Sequence, residues 1–180
     1  MMALVGFRIG RISVVPDATS YGRVDGPPGS QLPATLAANL RDMPMPLRHL
    51  IGDRHIVVYL AGDAAVLAWQ GDDDAPWPDR NDRGVHDLVR AVHPENTDQA
   101  LTALWGRTRR TFRIPRCWRA VMALARALHR ARELDGGDAV RVVRPILGAI
   151  MGTVWAGLGP CPVDGGVDVE ALIEQEGQVP

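Results

Sequence analysis

Guanidinium groups are the most concentrated chemistry in the chain. Residues 107–132, RTRRTFRIPRCWRAVMALARALHRAR, hold nine arginines and no acid. Each guanidinium is a planar five-donor fork that fits phosphate or carboxylate, so Arg109, Arg110, Arg113, Arg116, Arg119, Arg126 and Arg130 are candidate contacts to nucleic acid or to an acidic protein. Helical spacing orders part of the set. Arg116, Arg119, Arg126 and Arg130 follow steps of three, seven and four and form one stripe, while Val121, Leu124, Ala125 and Leu128 define a different, apolar face. At 1.5 Å per residue the stripe runs roughly 21 Å, a span of several phosphates.

The flanking segments oppose that reading. Residues 71–106 set three arginines against eight acids, and residues 133–180 set two against eight. Folded onto the arginine segment, those blocks would cancel most of its field. The formal net charge is -1 and the pI about 6.5, below the basic value usual for nucleic-acid-binding domains. All twenty basic residues are arginine. A coding bias toward Arg, Ala, Gly and Pro would give the same result without selection for phosphate.

Other reactive groups are sparse. His86 and His93 lie seven apart with Asp87 and Glu95 nearby, but two helical turns separate side chains by roughly 10 Å, too far for one metal ion. Asp72, Asp73 and Asp74 lack the alternating ligands of a calcium loop. No metal or cofactor is expected. His49, His55 and His129 stand alone. Cys117, between Arg116 and Trp118-Arg119, has an electropositive setting, against the ordinary reading of a buried small hydrophobe. Nucleophile-elbow, phosphate-loop and dinucleotide motifs are missing, as are zinc-finger spacing, CxxC and RNP-type aromatic motifs. Catalysis would need Cys117, or the group of His86, Asp87 and His93, to converge with residues distant in sequence.

The elements that must position these groups read as a single α+β domain. Its C-terminal half is predominantly helical, and its N-terminal part supplies a small antiparallel hairpin or sheet. Leu4 to Val15 reads as an irregular strand, and Pro33 opens a short helix that ends before Pro44 and Pro46. The β-branched run Arg54–Leu60 and the run Ala64–Gln70, joined by Ala61-Gly62-Asp63, read as the hairpin. Residues 71–83 are an exposed connection and the candidate domain boundary. Helices follow from Asp82 to before Pro94, from Asn96 or Thr97 onward, and from Arg116 to Leu134, with a glycine cap at Asp135-Gly136-Gly137. Asp138 would cap a further helix over Ala139–Gly157, and a short one is expected over Val167–Ile173.

Two cysteines, Cys117 and Cys161, fit a reducing compartment, and Arg8 and Arg11 interrupt the opening apolar stretch. The reading is a cytoplasmic chain. Residues 146–163 carry no charge, but Gly159-Pro160 leaves them too short to span a bilayer. Gly148 and Gly152, with Trp155 beside them, would allow close helix approach in a homo-oligomer. The expected role is a small nonenzymatic accessory or regulatory protein that binds nucleic acid or another acidic partner through the arginine helix. Alternatives are an assembly protein that self-associates through residues 139–157, or an enzyme with an unrecognised site.

Overall fold

The computed structural model describes residues 10–15, 23–24, 33–72 and 83–148. The chain divides into two compact units. Helix predominates among the described residues, with a small antiparallel sheet.

The first unit contains α1 (Pro33–Arg41), α2 (Met45–Gln70), α3 (Arg83–Val92) and α4 (Thr97–Arg113). The hairpin expected over 54–70 is absent, because both of its runs belong to α2. Gly52, Asp53, Ile56, Val57, Leu60 and Ala64 are buried along it at helical spacing, and burial at that period overrides the β preference of Ile56, Val57 and Val58. Pro44 and Pro46 open this helix as well as closing α1, and Gly71 closes it in the left-handed region at φ 73°. Leu36, Ala37 and Leu40 of α1 pack with α3, which buries Val85, Leu88, Val89 and Val92. α2 packs on both α3 and α4. Its approach to α3 depends on Gly52, where a Cβ would overlap Val92 Cγ2. Pro94 ends α3 as expected. The Thr97 hydroxyl donates to the His93 carbonyl at 2.9 Å, tying the next helix to that corner.

Pro115 separates the two units. A residue before proline is driven out of the helical region, and Ile114 is extended (φ -67°, ψ 117°), so α4 stops and α5 (Pro115–Ala131) begins anew. The second unit comprises β1 (Ile12–Ser13), β2 (Arg23–Val24), α5, β3 (Glu133–Leu134) and α6 (Gly136–Leu147). β1 is central, with Ile12 opposite both Val24 and Leu134. Ile12, Leu128 and Ala139 form its core, joined by Val14, Leu124 and Leu134.

Two caps differ from expectation. α5 ends at Ala131, and the residue with positive φ is Arg132 at 68°, not a glycine, because the chain must turn there to place Glu133 and Leu134 on β1. Asp135 then caps α6 in place of Asp138, its carboxylate accepting the Asp138 N–H at 2.6 Å. α6 ends at Leu147 with Gly148 at φ 53°, and residues 149–157 of the expected helix lie outside the described residues. Gly152, Trp155, the segment 167–173, residues 73–82 of the expected connection, and most of the opening strand lie outside the described residues. Among the described residues no helix is long and apolar enough to cross a membrane.

Candidate functional site

α5 is two-faced because of where its small and large apolar residues fall. Cys117, Ala120 and Leu128 are buried, and Val121 and Leu124 are half-buried beside them. Arg119, Arg126 and Arg130 are exposed. At 100° per residue the centre of this arginine row lies roughly 150° from the centre of the buried face, so packing one side leaves the other in water. Arg126, His129 and Arg130, with Ala125, border an open hollow of about 510 Å3.

The charge balance around the row decides its availability. The described carboxylates of this unit are Glu133, Asp135 and Asp138. Glu133 accepts the Ser13 hydroxyl at 3.0 Å and pairs with Arg11 at 4.0 Å. Asp135 caps α6, and Asp138 pairs with Arg141. Each is engaged away from α5. Among the described residues Arg119, Arg126 and Arg130 have no ion-pair partner.

The other sequence-derived arginines fare differently. Arg116 is half-buried in the first turn and engaged by another group of the chain. Arg109, Arg110 and Arg113 belong to α4, in the first unit, so the segment 107–132 is two helices. Arg109 lies over the Trp105 ring at 5.8 Å from its centroid, a cation–π contact, and Arg113 is likewise engaged. Arg110 is exposed near the α4 C-terminus, where the helix dipole favours a cation. Arg107 is buried and engaged.

Comparison with protein-family models, curated proteins and solved structures finds no match. Chemistry must therefore be judged from these side chains alone.

The histidines regroup. His93 Nε2 donates to Asp53 Oδ1 at 2.7 Å, with both side chains buried, and His49 stacks on the His93 ring at 4.5 Å between centroids and 26° between planes. Neither His49 nor Asp53 stands out in the sequence. They are four apart on α2, a spacing that brings them together only once 45–70 is one helix. Burial lowers the His49 pKa from 6.5, and the charge of His93 lowers it further, against the pull of Asp53 and of its bond to the Val92 backbone. Burial also lowers that of His55. Asp87 pairs instead with Arg90 at 3.4 Å, on the surface, and His86 is half-buried. Cys117 is buried. Among the described residues no three His, Cys, Asp or Glu side chains are placed to hold a metal ion. The Asp53–His93–His49 cluster ties α2 to the end of α3, while α5 offers charge to solvent.

Proposed function

We propose that this protein binds the phosphate backbone of nucleic acid through Arg119, Arg126 and Arg130 of α5, as an accessory or regulatory factor without sequence readout. The observation that carries the reading is the engagement of Glu133, Asp135 and Asp138 elsewhere while these three guanidinium groups stay exposed without an ion-pair partner among the described residues. The row steps roughly 10 Å and then roughly 6 Å along the helix, within reach of successive phosphates of one strand. Arg119 and Arg126 lie in the body of the helix, so the favourable field at its C-terminus does not account for them. Exposed arginine without base-reading side chains gives affinity from charge alone, and such affinity falls steeply with salt.

The test is a titration of the full chain against duplex and single-stranded oligonucleotides at two salt concentrations. Three phosphate contacts give a slope of about -2.7 in log K against log salt, so affinity for duplex falls about 40-fold between 50 and 200 mM. Arg119→Gln, Arg126→Gln and Arg130→Gln together remove that dependence. Polyglutamate serves as competitor: displacement at the same ionic strength would redirect the reading to an acidic protein. Absence of binding by the unaltered protein at 50 mM salt ends it.

A further inference from the structure

We propose that the hollow bordered by Arg126, His129 and Arg130 of α5 takes the terminal phosphate of a nucleic-acid strand. The inference rests on the phosphate-binding reading of this helix and names the part of the strand that one end of the arginine row engages. Arg126, His129 and Arg130 stand at i, i+3 and i+4, so they fall within a sector of about 100° and within about 6 Å along the helix axis. All three are exposed, and with Ala125 they border one open hollow. Arg119 is placed differently. It shares their side of the helix but lies roughly 10 Å back along the axis from Arg126, and it does not border the hollow.

The row is therefore uneven, and the unevenness matches a strand end. An internal phosphodiester carries one negative charge, which a single guanidinium fork can meet. A terminal phosphomonoester carries about -1.5 to -2 at neutral pH and offers three acceptor oxygens. Two forks and an imidazole N–H around one concavity supply donors for all three. Arginines four apart on a helix also repel each other, and a doubly charged group between them relieves that repulsion more than a singly charged one does. No carboxylate occurs within residues 107–132 to do so, and the described carboxylates of this unit are engaged elsewhere. With the end seated in the hollow, Arg119 meets an internal phosphate about three steps along, at roughly 3.4 Å per step of one strand.

The test is an anisotropy titration of the full chain at 50 mM salt against internally labelled single strands of one sequence. The strands end in a 5′-phosphate, in a 3′-phosphate or in hydroxyls, and a hydroxyl-ended strand about two nucleotides longer equalises total charge. Two added exposed ion pairs correspond to about five- to tenfold tighter binding of a phosphate-ended strand than of the longer hydroxyl-ended one. The arm that shows the preference identifies the end as 5′ or 3′. Arg126→Gln with Arg130→Gln should bring the ratio to about one, and His129→Gln should lower it about twofold. Arg119→Gln should weaken all strands alike and leave the ratio standing. These are exposed helical positions at which glutamine keeps the helix.

Equal affinities in the unaltered protein overturn the proposal and leave the backbone reading in force, whereas absence of binding to every strand ends both. A preference that survives Arg126→Gln with Arg130→Gln, or that vanishes with Arg119→Gln, overturns it as well. So does a phosphoserine peptide that binds as tightly as the phosphate-ended strand, because the ligand would then be a modified protein.

Discussion

Removing the Asp53 carboxylate tests the tie between α2 and α3 most directly. Asp53 is 6% and His93 8% exposed, and one hydrogen bond of 2.7 Å joins them across forty residues of sequence. Asp53→Ala leaves the His93 donor without its acceptor in a site that water does not reach, opens a small cavity, and weakens the stack of His49 on His93. Leaving a buried donor without its acceptor costs about 1–3 kcal/mol. A hydrogen bond to a charged group is itself worth about 1.5–3 kcal/mol, so about 3 kcal/mol is the expected loss. For a chain of this size that corresponds to about 6–12 °C in Tm. Asp53→Asn keeps the shape and an acceptor oxygen and should lose only about 1 kcal/mol. Urea unfolding followed by far-UV circular dichroism separates the two, and a cycle with His93→Gln should return a coupling of about 1.5–3 kcal/mol. Equal effects of Asp53→Ala and Asp53→Asn, both under about 0.5 kcal/mol, would refute the reasoning, because a solvated pair behaves in that way.

Two further outcomes follow from the same unit. Gly52→Ala gains about 1 kcal/mol of helix propensity but drives a methyl into Val92, whose Cγ1 would be 3.0 Å away, so it should destabilise by about 1–2 kcal/mol net; Gly62→Ala meets open space and should stabilise by about 0.5–1 kcal/mol. Opposite signs in denaturant midpoints check this, and equal signs contradict the close approach of α2 to α3. His49 and His55 are both held below 6.5, so on acidification the unfolded chain binds protons that the folded chain does not, and stability should fall as pH drops below 6.5. Urea midpoints at pH 7.5, 6.5 and 5.5 should decline in that order, less steeply for His49→Gln; a flat or rising series is the contrary result.

Helices with one apolar face were legible in the sequence and the helix with two was not. α1, α3, α4 and most of α5 lie where periodicity, prolines and caps put them, because each buries one side and wets the other. α2 has apolar residues around its circumference, so its sequence shows continuous hydrophobic runs with no visible 3.6 period, and β-branched Val57 and Val58 tilt such runs toward strand. Its punctuation was on the page all the same. Pro44 and Pro46 fit the start of a helix as well as the end of one, and Gly71 suits a left-handed cap. Length arbitrates: twenty-six residues between Pro44 and Gly71 make one long helix.

The histidine cluster and the arginine row differ in what their assembly requires. Arg119, Arg126 and Arg130 need only α5 to be helical, so a single element's period suffices to align them. Asp53 and His93 need two elements in contact, and neither the contact nor even the first element was available from spacing. What spacing could not supply for the arginines was their neighbourhood: of the acidic block after residue 132, the described carboxylates are Glu133, turned to β1 by strand pairing, Asp135, which caps α6, and Asp138, held by Arg141. For these three carboxylates four residues of backbone geometry, Arg132 at positive φ, a two-residue strand and a helix cap, set the partner locally.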